Sequence, residues 1–503
     1  MLAVFIIYLS VLMVLTWYAS RRSRSAESFM LGDKKISGLS LALSERATGE
    51  SAWLILGLTG EAFLIGMQAI WIALGCVIGI IFIWFAMSNR LRVEAEKSGA
   101  LTISSLMARR FPGAEKIIGI LSSSIVVFFF TFYVAAQFYG GGAVLEQTFG
   151  LSPIWGIIIG SLVVTFYCMI GGFIAVVFTD VFQAILMIIS LIVLPAIILF
   201  IAASNDIHIA ETINQASDAW KSMTGGKTGI GAGLLIASGL SWALGYTGQP
   251  QLLTRMMEVK NKKDIVTAKW VATIWTVIAY AGALVIGYMG YVLLANGFVT
   301  HPDAAPMMTG VNDYYSGQTL SPEHKAAITG LSEKIFPLLV NFFVMPVIAG
   351  ILLSGAISAM MSTASSEIVV SSSSISEDIY GNLSKKKMSP KRFLNFNKIL
   401  TLCVGVLAFG LALMAKDSVY GLVSYAWAGI GSSFGPALLL ILYWKKISRA
   451  GVIASLLCGT ISTIIWKEFF LASTGISERL TSFVFAFVMA VLFSLILPEK
   501  KKC

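Results

Sequence analysis

Nine consecutive residues, Ser44-Glu45-Arg46-Ala47-Thr48-Gly49-Glu50-Ser51-Ala52, stand between long apolar flanks. Two acids, a base, three hydroxyls and a glycine inside one membrane crossing are costly if they face lipid. They must face protein, water or a ligand. Unwinding at Gly49 would free backbone carbonyls, and such backbone is tolerated at membrane depth only where it lines a cavity. The chemistry on offer is the coordination of a small cation beside a small solute.

Two other stretches offer related chemistry. Gly245-Tyr246-Thr247-Gly248-Gln249-Pro250 breaks a second apolar segment, with Trp242 one turn before it. Ser354 to Ser376 is dense in hydroxyls: Ser358, Ser362, Thr363, Ser365, Ser366 and the run 371–374. Sodium is a hard cation that takes several neutral oxygens. Ser362 and Thr363, with the carbonyl of Ala359 one turn earlier, present three on one side of a helix. The competing reading is close helix packing, since small residues let membrane helices approach. For the 371–374 run packing is favoured, whereas for Ser362 and Thr363 the two readings stand level. Glu367 has no evident partner, while Glu45 and Arg46 are placed to form a local ion pair.

The elements that must position these residues are membrane helices. The chain of 503 residues is 57% hydrophobic and only 12% charged, about half the charge of a soluble domain, which indicates an all-α integral membrane protein of one domain. About thirteen segments reach the ~20 residues that a crossing needs: 1–20, 39–66, 68–88, 115–145, 153–172, 180–202, 229–250, 268–296, 333–375, 398–415, 418–443, 450–466 and 479–497. The first has its arginines, Arg21, Arg22 and Arg24, after the apolar run, so it reads as a retained span rather than a secretory signal. With the N-terminus outside and the C-terminus inside, 28 of the 36 Lys and Arg fall in cytoplasmic loops and 7 outside. That asymmetry supports a cell inner-membrane topology. It also explains the net charge of +10 without a nucleic-acid face, which would cluster on one soluble module.

Several function classes are disfavoured. His208, His301 and His324 all fall in the long outer loops 203–228 and 297–332, so haem ligation or a histidine proton relay at membrane depth is not expected. Gly226-Lys227-Thr228 lacks the leading glycine of a phosphate loop, because Lys221 stands there. Four cysteines lie in apolar spans and Cys503 is last, so no disulfide is expected. An enzyme would need His, Cys or paired carboxylates at one depth. A channel would need a continuous polar stripe. A transporter-like solute sensor would carry a signalling domain, and none is expected after Lys500–Cys503. No cofactor is expected beyond sodium as a co-substrate, and the oligomeric state is not specified.

Two interrupted helices at corresponding positions of two halves, the second and seventh spans, point to an inverted-repeat transporter with repeats at about 39–202 and 229–443. Specific stretches carry a resemblance: 53–58 (WLILGL), Gly171-Gly172-Phe173 with Thr179-Asp180, 242–250 (WALGYTGQP), 359–363 (AMMST), 376–380 (SEDIY) and Phe434-Gly435-Pro436. In this order, from about residue 40 to 470, they resemble the sodium:solute symporter family, in particular its bacterial sodium/proline symporters. The resemblance implies a LeuT-type core of five plus five inverted helices with extra helices at both ends. It implies a sodium site from the carbonyls of Ala47, Glu50 and Ala359 and the hydroxyls of Ser362 and Thr363. It places the solute near Ser51, Ala52, Trp242, Tyr246 and Pro250. It also makes Asp180 an ion-coupling candidate beside Glu367; the alternative for Asp180 is a helix N-terminal acid that satisfies the dipole.

The chain departs from the sodium/proline pattern at three positions. Gly49 replaces an aspartate, Glu50 a methionine and Ala52 a glycine. Either the negative charge has moved one residue, to Glu50, or the solute differs. The expected function is a symporter that couples sodium influx to uptake of an amino-acid-like solute, with proline first. The alternative is a sodium- or proton-coupled symporter of another carboxylate such as pantothenate, a monocarboxylate or a sialic acid.

Overall fold

The computed structural model describes residues 1–21, 36–316, 320–381, 388–415 and 417–499. Residues 22–35 and 385–387 of the basic loops, and the terminal 500–503, lie outside them. Among the described residues twelve helices are long and apolar enough to cross a membrane, and there is no strand. Two of the twelve are far longer than one crossing. Gly38–Ser98 has 61 residues and Pro153–Ser204 has 52, roughly 90 and 80 Å at about 1.5 Å per residue, against ~30 Å of hydrocarbon. Each is folded back at a glycine with positive φ, Gly66 (61°) and Gly172 (59°), where a side chain would be strained. Each therefore crosses twice.

The helices that build the spans are α1 (Leu2–Ser20), α2 (Gly38–Ala52, continued by 53–65), α3 (Ala69–Phe82, continued to Ser98), α4 (Glu115–Phe149), α5 (Pro153–Ser204, two crossings), α6 (Gly229–Leu240, followed by Trp242–Tyr246), which forms one broken span with α7 (Pro250–Met257), α8 (Lys262–Ala295), α9 (Pro346–Ser373), α10 (Pro390–Leu413), α11 (Val419–Tyr443), α12 (Arg449–Ile465) and α13 (Glu478–Ile496). The segment Pro322–Phe343 also passes the length test, but it is two short helices, Pro322–Ser332 and Ile335–Phe343. Neither half reaches the length of a crossing.

Among the boundaries that differ from the sequence expectation, two have a local cause at a proline. The span placed at 333–375 starts at Pro346, because Val344 is extended and Pro346 occupies the first helical position, which suits a residue without an amide hydrogen. The span placed at 229–250 runs on to Met257, because Pro250 starts a new helix rather than ending one. The outer loops hold helices of their own: Ile209–Gln215 and Asp218–Lys221 in the first, Ala304–Tyr314 and Pro322–Ser332 in the second.

Burial separates core from periphery. In their most apolar windows 83% of α9 and of α11 is buried, against 22% of α1 and 33% of α13. Large exposed side chains such as Ile7, Phe166, Phe200 and Leu407 cover the outer surface, as expected where lipid replaces water. At the centre α9 packs on α5, α4 and α2, and α2 packs on α5, α8 and α7. The polar residues singled out in α2 and α9 are thus buried inside the bundle.

Candidate functional site

The break in the second span falls at Ser51, not at Gly49. Ser51 has φ 45° and ψ −172°, and the chain then resumes as a π-helical turn over Trp53–Leu58. A non-glycine residue held there costs about 1–3 kcal/mol. Neighbours stabilise it: the amide of Ala52 donates to Gln137 Oε1 of α4 at 2.8 Å, and that of Trp53 donates to Ser51 Oγ at 3.0 Å. Gly49 remains helical. Its missing side chain serves a close approach, since a Cβ there would lie 3.2 Å from Leu252 of α7.

Backbone oxygens upstream of this break meet the hydroxyls of α9. Ser362 Oγ donates to the carbonyl of Ala47 at 2.7 Å and reaches that of Ala359 at 3.4 Å. Thr363 Oγ1 donates to the carbonyl of Thr48 at 2.8 Å. Ala47, Ala359, Ser362 and Thr363 are therefore brought together, all at zero exposure. This set of neutral oxygens suits a small hard cation. The carbonyl of Glu50 instead accepts the amide of Trp53.

Two buried charge networks flank this seam. In the first, Arg46 forms ion pairs with both Glu45 and Glu50 and donates to Thr276 at 3.1 Å. Trp84 Nε1 donates to Glu45 at 2.9 Å, Tyr280 donates to Glu50 at 2.5 Å, and the Tyr280 and Tyr246 hydroxyls are 3.0 Å apart. The expected Glu45–Arg46 pair is thus a triad. It turns the Glu50 carboxylate toward α8 rather than toward Ser362.

In the second network Asp180 accepts hydrogen bonds from Ser44 at 2.6 Å, Arg255 at 2.9 Å and Thr48 at 3.2 Å. Arg255 also donates to Ser44, Thr48 and Ser366, and its Nη1 to the carbonyl of Gln251. Asp180 lies inside the part of α5 that follows Gly172, eight residues past the bend, and its partner is a guanidinium. The helix-dipole reading therefore does not hold. The expected span limits 229–250 and 268–296 leave Arg255 in a loop between them, yet it is fully buried. The signal that could have found it is Pro250, a residue that starts helices as readily as it stops them.

The solute candidates gather around the same break. Trp242 packs against Trp53 at a tilt with centroids 4.4 Å apart, and Tyr246 meets Trp427 at 4.6 Å. Tyr133 approaches Ser51 Oγ at 3.4 Å and packs edge-on to Trp427. Ala52 faces Gly140 of α4, and Pro250 follows Gln249, whose amide donates to the Trp427 carbonyl at 3.2 Å. Trp427 escaped the sequence reading because it sits in an unbroken apolar helix. Gly245 makes room for it: any Cβ at Gly245 would overlap the indole. A cavity of about 140 Å³ opens one turn beyond Ala52, lined by Leu56, Tyr139, Glu146, Glu333 and Lys334.

A broken span facing a hydroxyl-bearing helix, inside an all-helical bundle, defines a LeuT-type secondary transporter. The chain belongs to the sodium:solute symporter family, whose model matches residues 29–459. It is 33% identical to the sodium/proline symporter of Escherichia coli (strain K12) over 497 residues, covering 99% of this chain and 93% of the relative. It is 31% identical to the high-affinity proline transporter PutP of Bacillus subtilis (strain 168), over 96% of this chain and 94% of the other. In fold it is similar to a substrate-bound, outward-open sodium-coupled sialic acid symporter, with a TM-score of 0.77 at 19% identity over 99% and 98% of the two chains. It is also similar to MhsT in complex with L-phenylalanine, with a TM-score of 0.53 at 14% identity over 91% and 98%. The chain is a multi-pass membrane symporter, not an enzyme.

Proposed function

We propose that this symporter couples sodium influx to the uptake of proline. The observation that carries the reading is the hydrogen bonding of Ser362 and Thr363 to the carbonyls of Ala47 and Thr48, one turn before the break at Ser51. Sodium as substrate would be held by the carbonyls of Ala47, Glu50 and Ala359 and the hydroxyls of Ser362 and Thr363. Recruiting Glu50 requires its carbonyl to leave the amide of Trp53. The solute would lie among Ser51, Ala52, Trp242, Tyr246 and Pro250, with Trp427 and Tyr133 as further walls. Full-length similarity to proline carriers supports the solute.

Coupling follows from linkage: a cation that ties α2 to α9 stabilises the state in which the pocket is formed. Each ligand then raises the affinity of the other by the same factor. The proposed repeats, about 39–202 and 229–443, rock against one another around this seam, with the N-terminus outside and the C-terminus inside the cell inner membrane. Asp180 and Glu367 are the acidic candidates for coupling.

A second reading keeps the transport class and changes the solute to another carboxylate. It is favoured by Gly49 and Glu50, where proline symporters differ, and by the pairing of Glu50 with Arg46. The test is uptake of a panel of labelled solutes by reconstituted protein under imposed sodium or proton gradients. Sodium-driven proline uptake is expected. Its absence beside uptake of another carboxylate removes proline, and uptake driven by protons alone removes sodium.

A further inference from the structure

Glu367 lies on α9 one turn past Thr363, at zero exposure, and neither carboxyl oxygen has a hydrogen-bond partner among the described residues. That is unusual, because a bare carboxylate in a low-dielectric interior is very costly. The charges that pack against α9 are already committed. On α2, Glu45, Arg46 and Glu50 pair with one another. On α5 and α7, Asp180 and Arg255 pair together, and Tyr167 donates to the Met361 carbonyl. On α1, Tyr8 is held by Gln183 and Ser358. From α4, Tyr133 lies within electrostatic reach of Glu367, but its hydroxyl bond runs to Ser51. Opposite α10, the contact is through the hydroxyl of Thr401.

The charge balance points the same way. Four buried acids, Glu45, Glu50, Asp180 and Glu367, surround the break with two guanidiniums, Arg46 and Arg255. One sodium ion leaves one negative charge uncompensated, and the acid without a donor is Glu367.

We propose that Glu367 is a proton-binding site of the transport core, so that a proton accompanies sodium and solute through the cycle. The proposal rests on the symporter reading above and adds a third ligand to it. In the step itself a proton from water on one side adds to a carboxylate oxygen. The same O–H bond then breaks toward water on the other side, with no change of oxidation state. The link to the solute runs along α9, since Glu367 lies one turn past Thr363, whose hydroxyl holds the Thr48 carbonyl just before the break.

The test combines infrared spectroscopy with proton flux, both on the full chain in lipid. At neutral pH the wild type should show the carbonyl stretch of a protonated carboxyl, shifted in heavy water and lost in Glu367→Gln. Vesicles loaded with a pH dye should report proton movement when L-proline is added with a sodium gradient, and Glu367→Gln should abolish it. A wild type without the carboxyl band overturns the proposal. So does proline entry with no proton movement, which leaves Glu367 a neutral acid and the sodium/proline reading intact. Should proline not enter at all, that reading fails by itself, and the infrared band, which needs no solute, still decides the proton site. If Glu367→Gln does not insert, the heavy-water shift and the flux of the wild type carry the test.

Discussion

Single residues divide into those that bind and those that hold the binders. Asp180 and Arg255 hold: between them they secure Ser44, Thr48 and Ser366, and so fix how α2 and α7 meet α9. Removing one partner leaves a buried charge unpaired, which costs about 3–5 kcal/mol. Asp180→Asn and Arg255→Gln are each expected to lower thermal stability in detergent strongly, and the double variant to lose less than the sum of the two. Additive losses would mean that the pair is not coupled. The triad gives a second expectation. Tyr280→Phe removes the donor between Glu50 and Tyr246, at a cost of about 1.5–3 kcal/mol for a bond to a charged group. Because Tyr246 stands in the proposed pocket, the half-saturating proline concentration should rise more than that of sodium. Equal shifts would place the triad outside solute recognition.

At the scale of elements, the broken helices depend on what replaces their lost backbone bonds. Gln137 takes the amide of Ala52, so Gln137→Leu leaves a buried donor unmet at about 1–3 kcal/mol. A thermal melt unchanged from wild type would show that the break supports itself. Gly245→Ala should act on the seventh span by pushing Trp427 out of place, with an overpacking cost of about 1–3 kcal/mol. Uptake would fall while membrane insertion persists; full uptake would mean that the indole has room to move.

The sequence made the existence of these breaks readable but not their positions. Glycine and proline mark weak points in a helix. Which weak point opens is decided by acceptors on other helices, such as Gln137, that no local pattern reveals. The same limit hid Arg255 and Trp427: one sat beyond an apparent helix stop, and the other in a helix with no anomaly. Ser362 and Thr363 were legible because hydroxyls in a buried span need partners, and their partners turned out to be the carbonyls of α2.

For the whole molecule, the count of about thirteen spans survived because crossing length is a property of the bilayer and is read directly from apolar runs. The bends at Gly66 and Gly172 fall at the limits expected between spans, whereas the limits near Val344 and Pro250 differ, because the chain changes course there without leaving the apolar register. The proposed sidedness rests on the basic loops, and cysteine labelling checks it at one loop on each face. A cysteine at Ser316 should react from outside the cell and one at Lys260 only after permeabilisation. The reverse pattern would invert the transporter.

The central claim is that α2 and α9 share a sodium ion. The measurement that bears on it most directly is the sodium dependence of uptake in vesicles for wild type, Ser362→Ala and Thr363→Ala. Losing one oxygen ligand should raise the half-saturating sodium concentration by roughly tenfold or more, equivalent to about 1.4 kcal/mol, with insertion unchanged. A sodium requirement equal to that of the wild type in both variants would contradict the shared site.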